Sequence, residues 1–241
     1  MKTRKHVLIT GGSGGIGRAL VRAFSEADYT VSFTYFSSQK AAADLALETG
    51  ANSFCVDFEK TECVEKFIDR LVSDVGAVDV LINNAGVAHY GLIQDVSPRD
   101  FNRVFSINFQ SPFFLTQKII SYMISRQSGT VINVASVWGE TGASCEVLYS
   151  SFKGATIAFT KALAKELAPS GIAVNCISPG VVDTAMMARF SEDEKNDILS
   201  EIPSGRFTDP SEIASLALYL AQNSSTSFTG QIIGLNGGMY C

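Results

Sequence analysis

Short apolar runs alternate with longer segments of mixed polarity along the whole chain. We predict that these runs are buried strands, because strands of a parallel sheet covered by helices on both faces are apolar throughout. They occupy residues 5–10, 29–35, 52–56, 78–82, 131–135, 172–177 and 231–235. The intervening segments carry apolar residues at helical spacing, and no linker, repeat or low-complexity segment separates them. The pattern predicts an α/β fold: a single domain, residues 1–241, with a doubly wound, seven-stranded parallel sheet and helices on both faces.

Helices are predicted at residues 18–27, 39–48, 60–75, 98–126, 152–167 and 210–221. The helix at 98–126 should be interrupted near Asn108 and Pro112, because proline lacks the amide hydrogen that a helix interior requires. Residues 181–209 have no strong period and mix charged residues with Met186, Met187, Phe190 and Ile202. We interpret this segment as a substrate lid within the domain. The alternative is a surface excursion with two short helices.

The turn Gly11-Gly-Ser-Gly-Gly-Ile-Gly17 joins the first strand to the first helix. Glycines let backbone N–H groups approach a pyrophosphate, and the helix N-terminus adds favourable dipole charge. Two glycine registers fit, G-x-G-x-x-G over residues 12–17 and T-G-x-x-x-G-x-G over residues 10–17. Because the turn lies between a strand and a helix, it predicts a Rossmann-type dinucleotide site. The alternative is a glycine-rich turn that binds nothing.

The second strand ends in Tyr35-Phe-Ser37-Ser38, without a carboxylate. In a site for NAD, an Asp or Glu about 20 residues after the glycines holds the ribose 2′-hydroxyl. Its absence removes the group that would repel a 2′-phosphate, which Ser37, Ser38 and Lys40 could bind. NADP(H) is therefore favoured over NAD(H).

The stretch from Ser136 to Lys153 brings together a hydroxyl, a phenol and an ammonium. Ser136 follows the fifth predicted strand, at the carboxyl end where open parallel sheets place their chemistry. Tyr149 and Lys153 are four residues apart, so they would share one face of a helix. A cation about 4 Å from a phenolate stabilises it by roughly 4 kcal/mol at an effective dielectric of about 20, and desolvation reduces that gain. The trio predicts proton transfer with Tyr149 as general acid; the alternative is an amphipathic helix that carries Tyr and Lys without a function.

Two further polar features stand out. The fourth strand ends in Asn83-Asn-Ala-Gly86, where small residues allow close approach of backbone or cofactor. Asn108 lies among apolar residues, and a buried amide needs hydrogen-bond partners. A structural hydrogen bond and a catalytic role are both open for Asn108.

Composition and charge exclude several classes of protein. The chain has 241 residues, 46% of them hydrophobic, which suits one sizeable core. It carries 19 Lys and Arg against 24 Asp and Glu, a net charge of −5 with no basic run, so no nucleic acid is expected as a partner. Two histidines and no paired-cysteine spacing predict no metal site. His6 and His89 are expected to be structural or solvent-facing.

The sequence also predicts the cellular compartment of the protein. No stretch of about 18 apolar residues occurs, so no membrane span is expected. The basic start is followed by an apolar run that breaks at Gly11, too short for a signal peptide. Five cysteines, an odd number without regular spacing, predict reduced thiols in a cytoplasmic protein.

Taken together, these residues resemble the short-chain dehydrogenase/reductase family in its one-domain form, over essentially the whole chain. The resemblance rests on T-G-x-x-x-G-x-G at 10–17, N-N-A-G at 83–86, Asn108, Ser136, Y-x-x-x-K at 149–153 and Pro179-Gly180. The segments 205–207, 228–231 and 236–239 look most like those of 3-oxoacyl-(acyl-carrier-protein) reductases. That resemblance implies NADPH-dependent reduction of a 3-oxoacyl thioester to the 3-hydroxyacyl form.

The family resemblance also implies roles for single residues. Tyr149 would give a proton to the carbonyl oxygen as hydride arrives from the nicotinamide, while Lys153 would hold the nicotinamide ribose and lower the phenol's pKa. Ser136 would hydrogen-bond the substrate oxygen, and Asn108 would position a water that relays protons to Lys153. Besides Tyr149 and Lys153, the implied cofactor contacts are Thr10, Gly11, Ser13, Gly15, Ile16, Gly17, Ser37, Ser38, Asp57 at the adenine, Asn84, Ala85, Gly86, Pro179, Gly180, Val182, and Thr184 at the carboxamide.

The chain departs from the family pattern at two positions. Gly14 stands where many NADP-using relatives carry a basic residue. Ser170 stands where reductases that dock acyl carrier protein often have an arginine. Arg99, Arg103 and Arg126 remain as candidates for docking that partner.

Other functions are also compatible with the sequence. The segment 138–146 also resembles a subgroup that reduces a ketone on a modified lysine of translation elongation factor P. A small-alcohol dehydrogenase is a further alternative, as is an NADP-sensing binding protein, which would have no need of the acid Tyr149. Relatives are commonly homotetramers joined through their long helices and last strand. The apolar residues Phe113, Phe114, Ile119 and Ile120 are compatible with such an assembly, or are ordinary core.

Overall fold

The computed structural model describes residues 4–184, 187 and 190–241. Its strands form one sheet in the order β3-β2-β1-β4-β5-β6-β7, and every neighbouring pair is parallel. They are β1 His6–Ile9, β2 Thr30–Tyr35, β3 Asn52–Cys55, β4 Val80–Asn83, β5 Gly129–Val134, β6 Ile172–Pro179 and β7 Ile232–Leu235. The predicted doubly wound, seven-stranded parallel sheet is confirmed.

The helices are α1 Gly15–Glu26, α2 Gln39–Thr49, α3 Thr61–Asp74, α4 Pro98–Phe105, α5 Ser111–Arg126, α6 Trp138–Thr141, α7 Val147–Leu167, α8 Glu192–Ser200 and α9 Pro210–Gln222. A π-helical turn, Ser106–Gln110, joins α4 to α5, and short 3₁₀ turns occupy Ile93–Asp95 and Ala168–Ser170. The predicted interruption near Asn108 is therefore confirmed. None of the described helices is long and apolar enough to cross a membrane.

The hydrophobic core lies in two layers, one on each face of the sheet. Alternate side chains of a strand point to opposite faces, so Val7 and Ile9 join one layer and Leu8 the other. The first layer includes residues of α1, α2 and α9, and the second includes residues of α3, α5 and α7. This arrangement leaves the carboxyl ends of the strands at one edge of the sheet. The strand order reverses between β1 and β4. That switch point is where open α/β sheets bind their ligands.

Two helices begin earlier than the sequence predicted. α1 begins at Gly15 instead of Arg18, and α7 begins at Val147 instead of Phe152. Neither start has a side-chain cap hydrogen bond, so no capping residue marked it in the sequence. The early start of α7 places both Tyr149 and Lys153 on one continuous helix.

The two ends of the predicted lid segment are joined to each other, and Thr208 Oγ1 also donates to the Leu235 carbonyl oxygen of β7 at 3.2 Å. Val182 forms an isolated parallel bridge with Thr208, and Ser204 N donates to the Gly237 carbonyl oxygen at 3.0 Å. Between them lies α8, which starts with a capping box formed by Ser191 and Glu194. Met186 lies outside the described residues, as do residues 185, 188 and 189. The lid function stays a prediction.

Candidate active site

The glycine turn holds the backbone in a shape that larger residues could not adopt. Gly11 has a φ of +68°, a conformation that L side chains rarely adopt. A Cβ at Gly17 would overlap the carbonyl oxygen of Gly11, so the turn folds tightly onto the start of α1. Gly14 is the N-cap of α1 and has no side-chain cap hydrogen bond. The first N–H groups of α1 are therefore available to an anion.

Thr10 and Asn84 connect the glycine turn to the segment that follows β4. Thr10 Oγ1 accepts hydrogen bonds from the backbone N–H groups of Asn84 and Ala85, both at 2.9 Å. In return, Asn84 Nδ2 donates to the Thr10 carbonyl oxygen at 2.9 Å. Thr10 is 1% exposed. Its observed role is to fix the two sides of the cleft relative to each other.

A cleft of about 600 Å³ lies over the switch point between β1 and β4. Of the residues expected to bind a cofactor, its lining includes Gly11, Ser13, Gly15, Ile16, Gly17, Ser37, Asp57, Asn84, Ala85, Gly86 and Thr184. Ser38 is not part of that lining; it is the N-cap of α2. A Cβ at Gly15 would lie 2.5 Å from Thr184 Cγ2, so this glycine lets the segment after β6 close over the turn. The cleft, its uncapped helix N-terminus and its glycine cradle fit a dinucleotide.

Arg103 lies in this cleft rather than on an open docking face. Its Nε donates to Glu59 Oε1 at 3.0 Å, and both side chains line the cleft beside Asp57. No regular spacing in the sequence relates these residues. Arg126 is at the opposite edge of the sheet, where it donates to the Val78 carbonyl oxygen at 2.7 Å, just before β4. Docking of a partner by Arg126 stays a prediction.

A second cavity, of about 210 Å³, adjoins the cleft, because Ile16 and Thr184 line both. Ser136 and Tyr149 lie on its wall, together with the expected cofactor contacts Pro179, Gly180 and Val182. Ser136 is 7% exposed, and its Oγ accepts a hydrogen bond from the Trp138 backbone N–H at 3.2 Å. A hydroxyl and a phenol thus face a small pocket next to the dinucleotide cleft.

Lys153 is buried behind Tyr149. Its Nζ donates to the Val134 carbonyl oxygen at 2.8 Å and lies 5.6 Å from the centre of the Tyr149 ring. The side chain is 5% exposed, and burial lowers the pKa of Lys153 to about 8. A Cβ at Gly86 would lie 3.5 Å from Lys153 Nζ and 3.5 Å from Asn108 Oδ1. The three residues therefore lie close together, and Gly86 lines the cleft.

Asn108 holds the segment after β4 by a pair of hydrogen bonds. Its Oδ1 accepts from the Val87 N–H at 2.8 Å, and its Nδ2 donates to the Val87 carbonyl oxygen at 2.9 Å. Asn108 lies in the π-helical turn, a geometry often found at functional sites. The structural hydrogen bond expected of Asn108 is confirmed, and its part in a proton relay stays a prediction.

The wall of the second cavity includes Met187 and Phe190 of the predicted lid segment, together with residues that the sequence did not single out. Beyond Ser136 and Tyr149, the lining includes Trp138, Glu146, Met187, Phe190, Ile198, Glu201 and Met239. They come from α6, α7, the segment 181–209 and the C-terminal residues, so no local spacing relates them. Among the described residues, no group of three His, Cys, Asp or Glu is placed to hold a metal ion.

Comparisons with known proteins agree with this geometry. The model of a family described as enoyl-(acyl carrier protein) reductase matches residues 11–240. An uncharacterised oxidoreductase of Bacillus subtilis, YmfI, is 43% identical over 241 residues, which cover 98% of this chain and 99% of that protein. The 3-oxoacyl-[acyl-carrier-protein] reductase FabG of Aquifex aeolicus is 36% identical, covering 97% of this chain and 96% of FabG. An acetoacetyl-CoA reductase of Shinella zoogloeoides is also 36% identical, covering 97% of each chain.

Proposed function

Since the chain belongs to the short-chain dehydrogenase/reductase family and is an NAD(P)-dependent oxidoreductase, we propose that it reduces the ketone of a 3-oxoacyl thioester to a hydroxyl. The observation that carries this proposal is the position of Ser136 and Tyr149. Both line a pocket that opens into the dinucleotide cleft, and Lys153 is buried beside them. The FabG and acetoacetyl-CoA reductase relatives support a thioester substrate.

In this proposal, Ser136 and Tyr149 bind the ketone oxygen and Tyr149 gives it a proton. A bound dinucleotide supplies hydride to the ketone carbon, and the residues of the glycine turn, Asn84 to Gly86 and Thr184 hold it. As hydride arrives, negative charge develops on the oxygen, and pre-placed donors stabilise that charge. The Lys153 cation, 5.6 Å from the Tyr149 ring centre, favours the phenolate that remains.

The test compares the native protein with Tyr149→Phe, which keeps the ring and removes only the hydroxyl. NADPH oxidation is followed with acetoacetyl-coenzyme A and with the same acyl group on acyl carrier protein. We expect Tyr149→Phe to lose roughly 100-fold or more in kcat, because general acid catalysis contributes about that factor. Cofactor affinity, measured by fluorescence titration, should stay within about threefold of native. Equal rates in the two proteins would remove Tyr149 from the mechanism.

We favour NADPH over NADH as the cofactor. Within the cleft, the end of β2 contributes Tyr35, Phe36 and Ser37 and no carboxylate. A 2′-phosphate there would meet the hydroxyl donor of Ser37. Lys40 is exposed on the first turn of α2 and adds positive charge nearby. Dissociation constants for NADPH and NADH test this preference.

A second candidate substrate is a ketone that carries a cation, such as one on a modified lysine side chain. The observation that favours it is the presence of two carboxylates, Glu146 and Glu201, in the lining of the substrate pocket. Glu146 is 8% exposed, so its charge would act through a low effective dielectric. A neutral acyl chain does not need these charges.

The two candidates can be separated with matched small ketones. N-(2-aminoethyl)acetoacetamide carries an ammonium, and N-propylacetoacetamide has nearly the same shape without it. If the pocket serves a cationic ketone, kcat/KM is higher for the amine. Glu146→Gln should then reduce that preference by about tenfold, the value of one charge-assisted contact. Equal kcat/KM for the two ketones would rule out this candidate.

We also expect a homotetramer. Phe101, Phe113 and Phe114 lie on α4 and α5 with exposures of 47%, 37% and 38%. Exposed rings on these two helices support a contact between subunits. Sedimentation velocity of the native protein and of Phe113→Ser checks this, since loss of the contact should shift the protein to smaller species.

A further inference from the structure

The short helix α6 lies between the pocket, the catalytic helix α7 and the end of β6. We propose that Glu140 on α6 is a positioning residue. Through its hydrogen bond with Ser178 of β6, Glu140 holds Ser136 in place opposite Tyr149. This inference rests on the proposed function, because it concerns the same reduction and the same hydroxyl.

A hydrogen bond joins Ser178 to the carboxylate of Glu140. Ser178 Oγ donates to Glu140 Oε1 at 2.5 Å. Ser178 is completely buried and directly precedes Pro179-Gly180, which line the pocket. Hydrogen bonds to a carboxylate are roughly twice as strong as neutral ones. The bond therefore ties α6 firmly to the end of β6.

α6 also packs against α7 at Lys153. A Cβ at Gly139 would lie 2.7 Å from the main-chain carbonyl carbon of Lys153 and 2.9 Å from the Gly154 nitrogen. The backbone of α6 thus lies directly on the turn of α7 that carries Lys153. A displacement of α6 would therefore alter its packing against the turn of α7 that carries Lys153.

Ser136 is coupled to α6 by its own hydroxyl. Ser136 Oγ accepts from the Trp138 N–H at 3.2 Å, and the Ser136 carbonyl oxygen accepts from the Gly139 N–H at 2.8 Å. The orientation of the Ser136 hydroxyl therefore follows the first turn of α6. Contacts therefore connect Ser178 through Glu140 and α6 to the Ser136 hydroxyl.

Main-chain bonds between β5 and β6 hold the base of this loop without help from Glu140. The Val137 N–H donates to the Pro179 carbonyl oxygen at 2.8 Å, and the Ala135 N–H donates to the Ile177 carbonyl oxygen at 2.8 Å. Loss of the Glu140 carboxylate should therefore leave the fold and the cofactor cleft intact. What changes is the placement of α6, and with it the Trp138 N–H that orients the Ser136 hydroxyl.

The experiment compares Glu140→Gln, Ser178→Ala and the double variant with the native protein. Glu166→Gln is the matched control, since Glu166 is exposed on α7 away from the pocket lining. Turnover is measured with acetoacetyl-coenzyme A and NADPH, and repeated with NADPH deuterated at the transferred C4 position. We expect kcat to fall by about tenfold in each single variant, because misplacement of a reacting group slows the chemical step. The deuterium isotope effect should rise, and NADPH affinity should stay as in the native protein.

The double variant tests whether Glu140 and Ser178 act through their mutual hydrogen bond. If the two side chains act through their mutual hydrogen bond, the double variant is no slower than the slower single variant. A purely structural role lowers the melting temperature and the active fraction but leaves the isotope effect unchanged. Losses that multiply in the double variant, or an isotope effect equal to that of the native protein, would overturn the proposal.

Trp138 gives a readout that needs no turnover. It is the chain's one tryptophan and lies on α6, two residues before Glu140. In Glu140→Gln, acrylamide should quench Trp138 fluorescence more strongly than in the native protein and in Glu166→Gln. Unchanged quenching in Glu140→Gln shows that α6 is not held by this contact and would overturn the proposal.

The two proposals fail in different ways. If native protein and Tyr149→Phe turn over at the same rate, the proposed function fails, while Trp138 quenching still reports on α6. If Tyr149→Phe is inactive and Glu140→Gln behaves like the native protein, the positioning role alone fails.

Discussion

The two cavities at the carboxyl edge of the sheet are lined by different kinds of residue. The dinucleotide cleft is lined mainly by short segments next to strand ends, with many glycines and small side chains, at residues 11–17, 34–37, 56–59 and 84–87. The substrate pocket is walled by bulky side chains from distant parts of the chain, among them Trp138, Phe190, Ile198 and Met239. The cleft therefore depends on backbone geometry and the pocket on side-chain chemistry.

This difference has a physical consequence for substitutions. A backbone cradle has no space for one more carbon atom, so a single methyl group can block it. A side-chain wall can exchange one group for another of similar size without loss of the fold. We expect changes at the glycines of the cleft to affect folding and cofactor binding together, and changes in the bulky walls of the pocket to affect substrate choice.

The largest effect should come from Gly17→Ala. The added Cβ would overlap the Gly11 carbonyl oxygen and lie 2.8 Å from Gly12 Cα. We expect the free energy of unfolding to fall by roughly 3 kcal/mol, since overpacking against backbone costs about that much. NADPH binding should weaken by roughly 100-fold or be lost. Urea unfolding and NADPH titration measure the two effects.

Gly14→Ala is the matched control for that change. Gly14 has a φ of −79°, which any residue adopts, and its Cβ would meet only the Gly11 carbonyl oxygen, at 3.5 Å. Unfolding free energy should change by less than about 1 kcal/mol. If Gly14→Ala and Gly17→Ala were equally destabilised, the cradle would not be limited by backbone contact.

The same contrast explains what the sequence could predict. Local spacing located the glycine turn, Tyr149 and Lys153, because a strand end and a helix face fix where such residues lie. Glu146 and Met239 were not found, because they meet only in the folded chain. No periodicity relates residues so far apart.

Two helix starts were predicted correctly where a local capping residue marks them. α4 and α9 begin at Pro98 and Pro210, as predicted, and Ser97 and Asp209 form capping boxes there. α1 and α7 begin without side-chain caps, and both starts were predicted too late. A start that depends on tertiary packing alone leaves no mark in the local sequence.

Lys153→Met should change how stability depends on pH. Burial lowers the pKa of Lys153 from 10.5 to about 8, so between these values the unfolded chain binds more protons than the folded one. The free energy of unfolding of the native protein should therefore rise with pH across this window, relative to Lys153→Met. The full shift corresponds to roughly 3 kcal/mol. Urea unfolding of both proteins without cofactor, from pH 7 to pH 10.5, measures the difference.

The buried Cys176 thiol has the opposite effect on how the free energy of unfolding changes with pH, in both proteins. Burial raises the pKa of the Cys176 thiol from 9.0 to about 12, so its contribution to stability falls as pH rises above its unfolded value. Because Lys153 itself lowers the pKa of Cys176, both proteins are measured with Cys176→Ala, which removes this effect. Lys161→Met, at an exposed position on α7, is the control and should follow the native profile. A native profile parallel to that of Lys153→Met would contradict the buried position of the ammonium.

Ser37→Asp tests a place where the cleft's chemistry depends on a side chain. An aspartate there would repel a 2′-phosphate and could accept a hydrogen bond from a free 2′-hydroxyl. We expect the ratio of NADPH to NADH affinity to fall by about tenfold, or ~1.4 kcal/mol. Titrations with the two cofactors measure that ratio. Ser38→Asp is the control, since Ser38 does not line the cleft; an equal fall in both variants would mean that the charge acts at long range.

The smallest effect should come from Glu201→Gln at the rim of the substrate pocket. Glu201 is exposed whereas Glu146 is buried, so water and salt screen the charge of Glu201 and not that of Glu146. KM for N-(2-aminoethyl)acetoacetamide should rise less than about threefold, since an exposed ion pair contributes only ~0.2–1 kcal/mol. The rise should vanish at high salt, while the effect of Glu146→Gln should persist. A large, salt-independent effect of Glu201→Gln would show that the segment around it closes over the substrate and takes this carboxylate out of water.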